Sequence, residues 1–237
     1  MTGVGRGEPG LVSCIIGSFN SERYLGAAID SALAQTQRPF EVIVVDAEST
    51  DGSVALSRSY GRPVRLIEVC DVSPAATRNA GLLASQGEYV AWLDGDDLWH
   101  PDKLAMQLAR FRARPELECS VTLIENFWDE GYQAEAAHYR DHRRMKPVAG
   151  YVMPTTLAKR EVFGRVGLLD ESLVFADSAD WFIRAEEHGI VVELLSEVLA
   201  FHRLHGANIT RRRAEESAGE FARVLKRRLD RRRQPSA

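Results

Sequence analysis

Four apolar, strand-like segments alternate with helix signals near the start of the 237-residue chain, and this alternation restricts the fold most. The predicted strands are Leu11–Gly17, Phe40–Asp46, Val64–Val69 and Tyr89–Leu93. Between them lie segments with apolar residues at helical spacing, or with start and stop signals such as Ser73-Pro74 and Gly87. Strands alternating with helices form parallel sheets covered on both faces. The sequence therefore predicts an α/β fold with a mainly parallel central sheet flanked by helices.

Two of the predicted strands end in carboxylates. Asp46 ends the second strand, and the fourth strand runs into Asp94, Asp96 and Asp97. Ligands of open α/β sheets bind at the carboxyl ends of the strands, so we expect these residues to face a common crevice. Clustered carboxylates repel each other unless a cation lies among them, and hard oxygen ligands suit Mg²⁺ or Mn²⁺. The pattern predicts a metal site that holds phosphate groups, with a solvated acidic turn as the alternative.

Composition is typical of a globular protein, with 45% hydrophobic and 27% charged residues. No apolar run approaches the roughly 20 residues that cross a bilayer, and the first residues lack the apolar core of a signal peptide. Cys14, Cys70 and Cys119 lie in apolar, strand-like runs without disulfide or metal-ligand spacing. We interpret them as core residues of a reducing compartment and expect a cytoplasmic protein.

The C-terminal segment 211–237 is basic, with 10 Lys or Arg against 4 Asp or Glu, although the whole chain has a net charge of −4. We interpret it as a basic helical tail that is mainly solvated. Peripheral membrane contact through this tail and a homodimer stay open, whereas no nucleic-acid partner is predicted. The expected organisation is a flexible N-terminus (1–10), one domain (11–210) and this tail.

Five segments, in order along the chain, resemble motifs of one family. They are Val12–Asn20, Glu41–Ser53, Ala75–Gly81, Leu93–Asp97 and Phe201–Thr210. Together they resemble an inverting glycosyltransferase of family 2 with the GT-A fold. The resemblance implies a nucleotide-sugar-binding half over 11–100 and an acceptor half over 101–210.

The resemblance implies a nucleotide-diphosphate sugar as donor, with a UDP-sugar expected. The implied donor-binding residues are Ser18, Asn20, Asp46, Glu48, Arg78, Asp94 and Asp96. Arg78 would pair with phosphate, and Asp46 would accept hydrogen bonds from the base or ribose. Ala47 stands where the family often has a second aspartate that contacts uracil, so the identity of the base stays open.

Mn²⁺ or Mg²⁺ is the cofactor that the resemblance implies, bridging the two phosphates and stabilising the charge of the leaving group. Asp96 would be a direct ligand, and Asp94 would act through water or the ribose hydroxyls. His205, chosen over His202, would complete the metal site from an R-x-H-G-x-N signature. Asp97 would support these ligands or, equally well, place a charge at a helix N-terminus.

Transfer with inversion requires a carboxylate that takes the proton of the acceptor hydroxyl. The usual family position falls on Ser178, which cannot act as a base unaided. We favour Asp180, followed by Asp177 and then by an absent base, with helix N-capping as the alternative role of both acids. Trp181, unless it packs in the core, and Thr155 are predicted on the acceptor side. The acceptor would be a hydroxyl of a glycan, a lipid-linked molecule or a peptide.

The sequence thus predicts a metal-dependent, inverting glycosyltransferase. A catalytically silent GT-A module that binds nucleotide or glycan is the alternative, because Ala47 and Ser178 replace family carboxylates. A nucleotidyltransferase is disfavoured, since the glycine-rich segment Gly3–Gly7 precedes the first strand instead of following it.

Overall fold

Four parallel strands form the first half of the fold in the computed structural model, which describes residues 4–70, 73–140 and 142–233. The elements are β1 (Glu8–Ser18), α1 (Glu22–Leu33), β2 (Glu41–Ala47), α2 (Ser53–Ser59), β3 (Val64–Val69), α3 (Pro74–Ala84) and β4 (Gly87–Asp94). The strands lie in the order β3-β2-β1-β4, and all their pairings are parallel. The predicted strands are confirmed, although β1 begins at Glu8, inside the segment expected to be a flexible N-terminus.

The second half extends this sheet. It contains β5 (Leu98–Trp99), α4 (Lys103–Ala113), β6 (Cys119–Trp128), α5 (Gln133–His138), β7 (Val148–Ala149), β8 (Leu157–Lys159), α6 (Val162–Val166), α7 (Asp177–Glu187), β9 (Val192–Leu204), α8 (Ile209–Arg212) and α9 (Ala214–Arg233). The sheet continues from β4 through β8, β6 and β9 to β5, and β7 pairs with β6. β8 is antiparallel to both neighbours, whereas β6 and β9 are parallel. The sheet is therefore mixed in this half.

Both faces of the sheet are buried. Trp92 and Leu93 are consecutive residues of β4, and they pack in separate apolar clusters. Every residue of β2 is buried, which explains its uninterrupted apolar run. Cys14 and Cys119 are buried as predicted, whereas Cys70 is exposed just beyond β3.

Most residues of the C-terminal helix α9 are exposed, as expected, but the helix is docked on the domain along one narrow face. Val224 and Glu220 are buried. The Glu220 carboxylate accepts hydrogen bonds of 2.7 to 3.2 Å from the backbone N–H groups of 174–176. Residues 234–237 of the predicted tail lie outside the described residues. None of the described helices is both long and apolar enough to cross a membrane.

Candidate active site

A cavity of about 500 Å³ lies at the carboxyl ends of the parallel strands. The parallel register places Ser18 of β1 beside Asp46 of β2, and Gly17 beside Asp94 of β4. The wall is completed by α3, the segment 174–178, the residues around α8, and one side chain of α9. This is the edge of the sheet where the sequence predicts a crevice.

Asp96 lies between this cavity and the loop that follows β9. His205 Nε2 is 2.9 Å from Asp96 Oδ2, and Asn208 Nδ2 donates to the same oxygen at 3.3 Å. Burial opposes ionisation of Asp96, but the hydrogen bond with His205 and the charges of His202 and His205 outweigh it. The pKa of Asp96 is therefore below its usual value, and the side chain is a carboxylate at neutral pH.

Asp97 is turned away from solvent and anchors the end of β9. Its Oδ1 lies 3.0 Å from His202 Nδ1 and accepts a hydrogen bond of 2.9 Å from the Arg203 backbone N–H. Burial raises the pKa of Asp97 to about 6, against the opposing effect of His202. Burial alone would lower the pKa of His202, but the charge and hydrogen bond of Asp97 raise it to about 9. Asp97 precedes β5 and not a helix, so its alternative role at a helix N-terminus is wrong.

Arg78 of α3 connects two carboxylates across the cavity. Its Nη2 donates to Asp94 Oδ1 at 2.7 Å, and its Nη1 donates to Asp177 Oδ2 at 2.5 Å. Burial would lower the pKa of Arg78, but Asp94 and Asp177 outweigh it and raise this pKa above its usual value. The site therefore contains a permanent, oriented positive charge that could bind phosphate oxygens.

Asp46 is buried behind the cavity wall. Its carboxylate accepts hydrogen bonds from Ser18 Oγ at 3.0 Å, from Ser49 Oγ at 2.7 Å and from the Ser49 backbone N–H at 2.9 Å. These bonds orient Ser18 and fix the turn after β2.

Comparison with known protein families assigns the chain to one of them. The sequence profile of glycosyl transferase family 2 matches residues 13–167. The chain belongs to this family. An uncharacterized glycosyltransferase of Rickettsia typhi is 29% identical over 211 residues, which cover 84% of this chain and 66% of the relative. The chain thus spans slightly less than two thirds of the length of this relative.

Solved structures share its fold. Staphylococcus aureus TarS 1-349, solved in complex with UDP-GlcNAc, superimposes with a TM-score of 0.70 at 18% identity, covering 90% of this chain and 65% of that chain. The mannosyltransferase PcManGT of Pyrobaculum calidifontis, solved with GDP-Man and Mn²⁺, gives 0.67 at 21% identity, covering 91% and 64%. The predicted GT-A fold of this family 2 chain is confirmed.

The predicted donor-binding residues divide into two groups. The residues that line the cavity are Ser18, Arg78, Asp94 and Asp96. Asp46 does not line it, because its oxygens are directed to Ser18 and Ser49, so its contact with the base or ribose stays a prediction. Asn20 and Glu48 also lie outside the lining. Asn20 Oδ1 accepts from the Thr50 backbone N–H at 2.8 Å, and Glu48 is exposed.

The two candidate bases differ in where the structure places them. Asp180, the favoured base, accepts a 2.7 Å hydrogen bond from Arg184 Nε and does not line the cavity. Asp177 lines it, as does Ser178. Neither aspartate caps α7, whose N-cap is Ala176 without a side-chain hydrogen bond. The spacing of four between Asp180 and Arg184 is a sequence signal of their helical ion pair that could have shown this.

Two predicted acceptor-side residues are in the core, which contradicts that prediction. Trp181 is fully buried and stacks on Phe163 with ring centroids 4.6 Å apart. Thr155 is also fully buried, and its hydroxyl donates to the Val152 carbonyl at 2.8 Å. Val152 and Pro154, near Thr155 in the sequence, line the cavity instead of Thr155.

Sequence reasoning missed Asn208 and Phe221, which both line the cavity. Asn208 Oδ1 accepts the His205 backbone N–H at 2.7 Å, and its Nδ2 donates to the Arg203 carbonyl at 3.0 Å. The R-x-H-G-x-N signature contains this asparagine, so the signal was present. Phe221 lies in the segment interpreted as a solvated tail. Its spacing of four from Leu225 could have indicated an apolar face.

Within the described ranges, no group of three or more His, Cys, Asp or Glu side chains is arranged to hold a metal. The carboxylates of Asp94 and Asp96 nevertheless line the cavity and are 36% and 27% exposed. Mg²⁺ is usually held by one or two carboxylates together with water and substrate phosphates, so this pair fits a divalent ion. His205 does not line the cavity; its Nε2 contacts Asp96 and its Nδ1 accepts the Ala207 N–H at 3.2 Å. In this structure it positions Asp96, and its role as a metal ligand stays a prediction.

Proposed function

We propose that this chain is a metal-dependent, inverting glycosyltransferase that moves a sugar from a UDP-sugar to a hydroxyl acceptor. One observation carries the proposal: in a single cavity, Arg78 connects Asp94, at the end of β4, to Asp177, at the start of α7. Asp96 adds an ionised carboxylate to the same cavity. The cavity thus combines groups suited to a diphosphate with a carboxylate suited to a hydroxyl.

The donor would bind at the strand ends. A Mn²⁺ or Mg²⁺ ion held by Asp94 and Asp96 would supply positive charge to the departing diphosphate. Arg78 would bind a phosphate oxygen, and Ser18 would offer its hydroxyl to the donor. Ala47 lines the cavity without a polar group, so recognition of the base falls to other contacts. The likeness to TarS supports UDP, whereas PcManGT makes GDP-mannose the necessary comparison.

Asp177 would act as the base in a single displacement. The acceptor oxygen bonds to the anomeric carbon, the bond from that carbon to the phosphate oxygen breaks, and the hydroxyl proton passes to Asp177. Protonation of Asp177 weakens its ion pair with Arg78. The guanidinium then becomes available to the diphosphate, whose negative charge grows as its bond to the sugar breaks.

Exchange of each candidate base tests this assignment. Asp177→Asn should lower donor turnover, measured with Mn²⁺ and UDP- or GDP-sugars, by about 100-fold or more while UDP binding is retained. Asp180→Asn is the matched control on the same helix turn. It should keep turnover within a few-fold once its thermal unfolding shows a folded protein, because Asp180 does not line the cavity.

The opposite pattern, with Asp180→Asn inactive and Asp177→Asn active, would refute Asp177 as the base. Absence of turnover in the wild-type chain, together with tight UDP binding, would favour the silent GT-A module. The product anomer, read by NMR, decides whether the transfer inverts the configuration.

A further inference from the structure

A row of exposed apolar side chains leads from the cavity along α9. Phe221, Leu225 and Leu229 are 41%, 54% and 54% exposed, and their spacing of four places them on one face of the helix. Ile209 of α8 is 43% exposed. Ile209 and Phe221 both line the cavity, so the row is continuous with its rim. From Phe221 to Leu229 the helix rises about 12 Å.

A neighbouring face of α9 is already occupied. Val224 is buried against the domain, and Arg228 pairs with Glu186 of α7 at 2.6 Å. Arg231 pairs with Glu187 at 3.2 Å. Docking along this face fixes the orientation of the helix, and the apolar row stays exposed beside it.

The apolar row lies in the most basic part of the chain. From residue 211 onward there are 10 Lys or Arg and 4 Asp or Glu, whereas the chain as a whole is acidic. Lys226 is exposed one position beyond Leu225. Arg227, Arg228 and Arg231 pair with acidic residues of the domain, whereas Arg212 and Lys226 are exposed. A helix with an exposed apolar row beside such cations binds in the plane of a membrane interface, where anionic headgroups attract the cations.

We propose that α9 docks on an anionic lipid surface through Phe221, Leu225 and Leu229. A second copy of the chain is the less suitable occupant, because pairing through the same face would bring two basic segments together. Docking would turn the cavity rim formed by Ile209 and Phe221 toward the lipid. In combination with the proposed transferase function, on which this step depends, the acceptor hydroxyl would be one carried by a lipid.

Cosedimentation with lipid vesicles tests the docking surface. The full chain is mixed with vesicles of phosphatidylcholine alone, or of phosphatidylcholine with phosphatidylglycerol, at low and raised salt. We expect binding to the anionic vesicles that weakens with salt. The double variant Leu225→Gln/Leu229→Gln should bind about tenfold more weakly or worse. Leu83→Gln/Leu194→Gln, which changes two exposed leucines outside α9, is the matched control and should bind as the wild type does.

Three results would overturn the proposal: no binding to anionic vesicles, equal binding by the α9 variant, or a lipid-free dimer that the α9 variant dissociates in analytical ultracentrifugation. UDP binding is measured on every variant, because Leu225 and Leu229 do not line the cavity and should leave it unchanged. If the wild type binds UDP but not anionic vesicles, only this inference is contradicted. If the wild type binds anionic vesicles but transfers no sugar, only the proposed function is contradicted.

Discussion

The buried amino group of Lys103 should make the stability of this protein depend on pH in an unusual direction. Lys103 is fully buried, and its Nζ donates to Gln107 Oε1 at 2.9 Å and to the Thr156 carbonyl at 3.3 Å. It also lies 4.4 Å from the ring centroid of Trp99. Burial lowers the pKa of Lys103 from 10.5 to about 7, since these neutral partners replace water incompletely.

The size of the effect follows from linkage. In the unfolded chain Lys103 keeps its proton up to its ordinary pKa of 10.5, whereas the folded protein releases it above about 7. Between these values the unfolded state binds more protons, so the free energy of unfolding rises with pH. At about 1.4 kcal/mol per pKa unit, the free energy of unfolding rises by about 5 kcal/mol over the full range between the two pKa values. Between pH 7 and 8.5 it rises by about 2 kcal/mol. Below the folded pKa the contribution is constant.

Urea unfolding of the wild type and of Lys103→Met, followed by circular dichroism from pH 6 to 8.5, measures this contribution. The methionine variant lacks this titration. Between pH 7 and 8.5 the free energy of unfolding of the wild type should therefore rise by about 2 kcal/mol relative to that of the variant. His202, whose raised pKa acts with the opposite sign, cancels because both proteins contain it. Burial raises the pKa of the Cys14 thiol from 9.0, so its effect on stability starts near pH 9, where the unfolded thiol ionises, and both proteins contain it. Parallel curves for the two proteins would refute the assignment.

Three other substitutions test the packing around the site. Glu220→Ala should lower the free energy of unfolding by about 2–4 kcal/mol in urea titrations, because it leaves the backbone N–H groups of 174–176 without their carboxylate. Gly81→Ala should cost about 1–2 kcal/mol in the same assay despite its better helix propensity, because the new Cβ would overlap Ile15; a stabilised variant would contradict this close contact. Trp181→Ala should cost about 3–5 kcal/mol, and a small loss would indicate an exposed ring instead of a buried one.

The strands and the acidic turn could be predicted because their signals are local. β2 is buried on both faces, so its apolar run is uninterrupted, and parallel register alone brings Asp94 beside β1. The partners of the charged groups could not be predicted in this way. Arg78 and Asp177 are 99 positions apart, and nothing local indicates their contact. Lys103 likewise has the sequence signature of a surface helix residue, and only the packing of α4 on the sheet buries it.

The C-terminal helix shows a different limit of sequence reasoning. Its charges lie around most of the circumference, which predicts a solvated helix. Most of the helix is solvated, but one acidic residue, Glu220, docks it on the domain, because its carboxylate accepts hydrogen bonds from backbone N–H groups just before α7. Those donors follow from the tertiary fold, so the sequence of α9 contains no sign of them. Docking of α9 also brings Phe221 to the cavity.

The contacts of Asp94, Asp96 and Asp97 in the structure change the physical reason for expecting a metal ion at the acidic turn. Repulsion among three carboxylates suggested a cation, but each of them already contacts a basic side chain of the protein. What supports the metal is exposure instead. The side chains of Asp94 and Asp96 are 36% and 27% exposed, whereas that of Asp97 is 2% exposed and anchors the end of β9. An ion that binds Asp94 competes with Arg78 for this carboxylate, and a diphosphate gives Arg78 a new partner. Metal and donor should therefore stabilise each other's binding, since each takes over a charge that the other displaces.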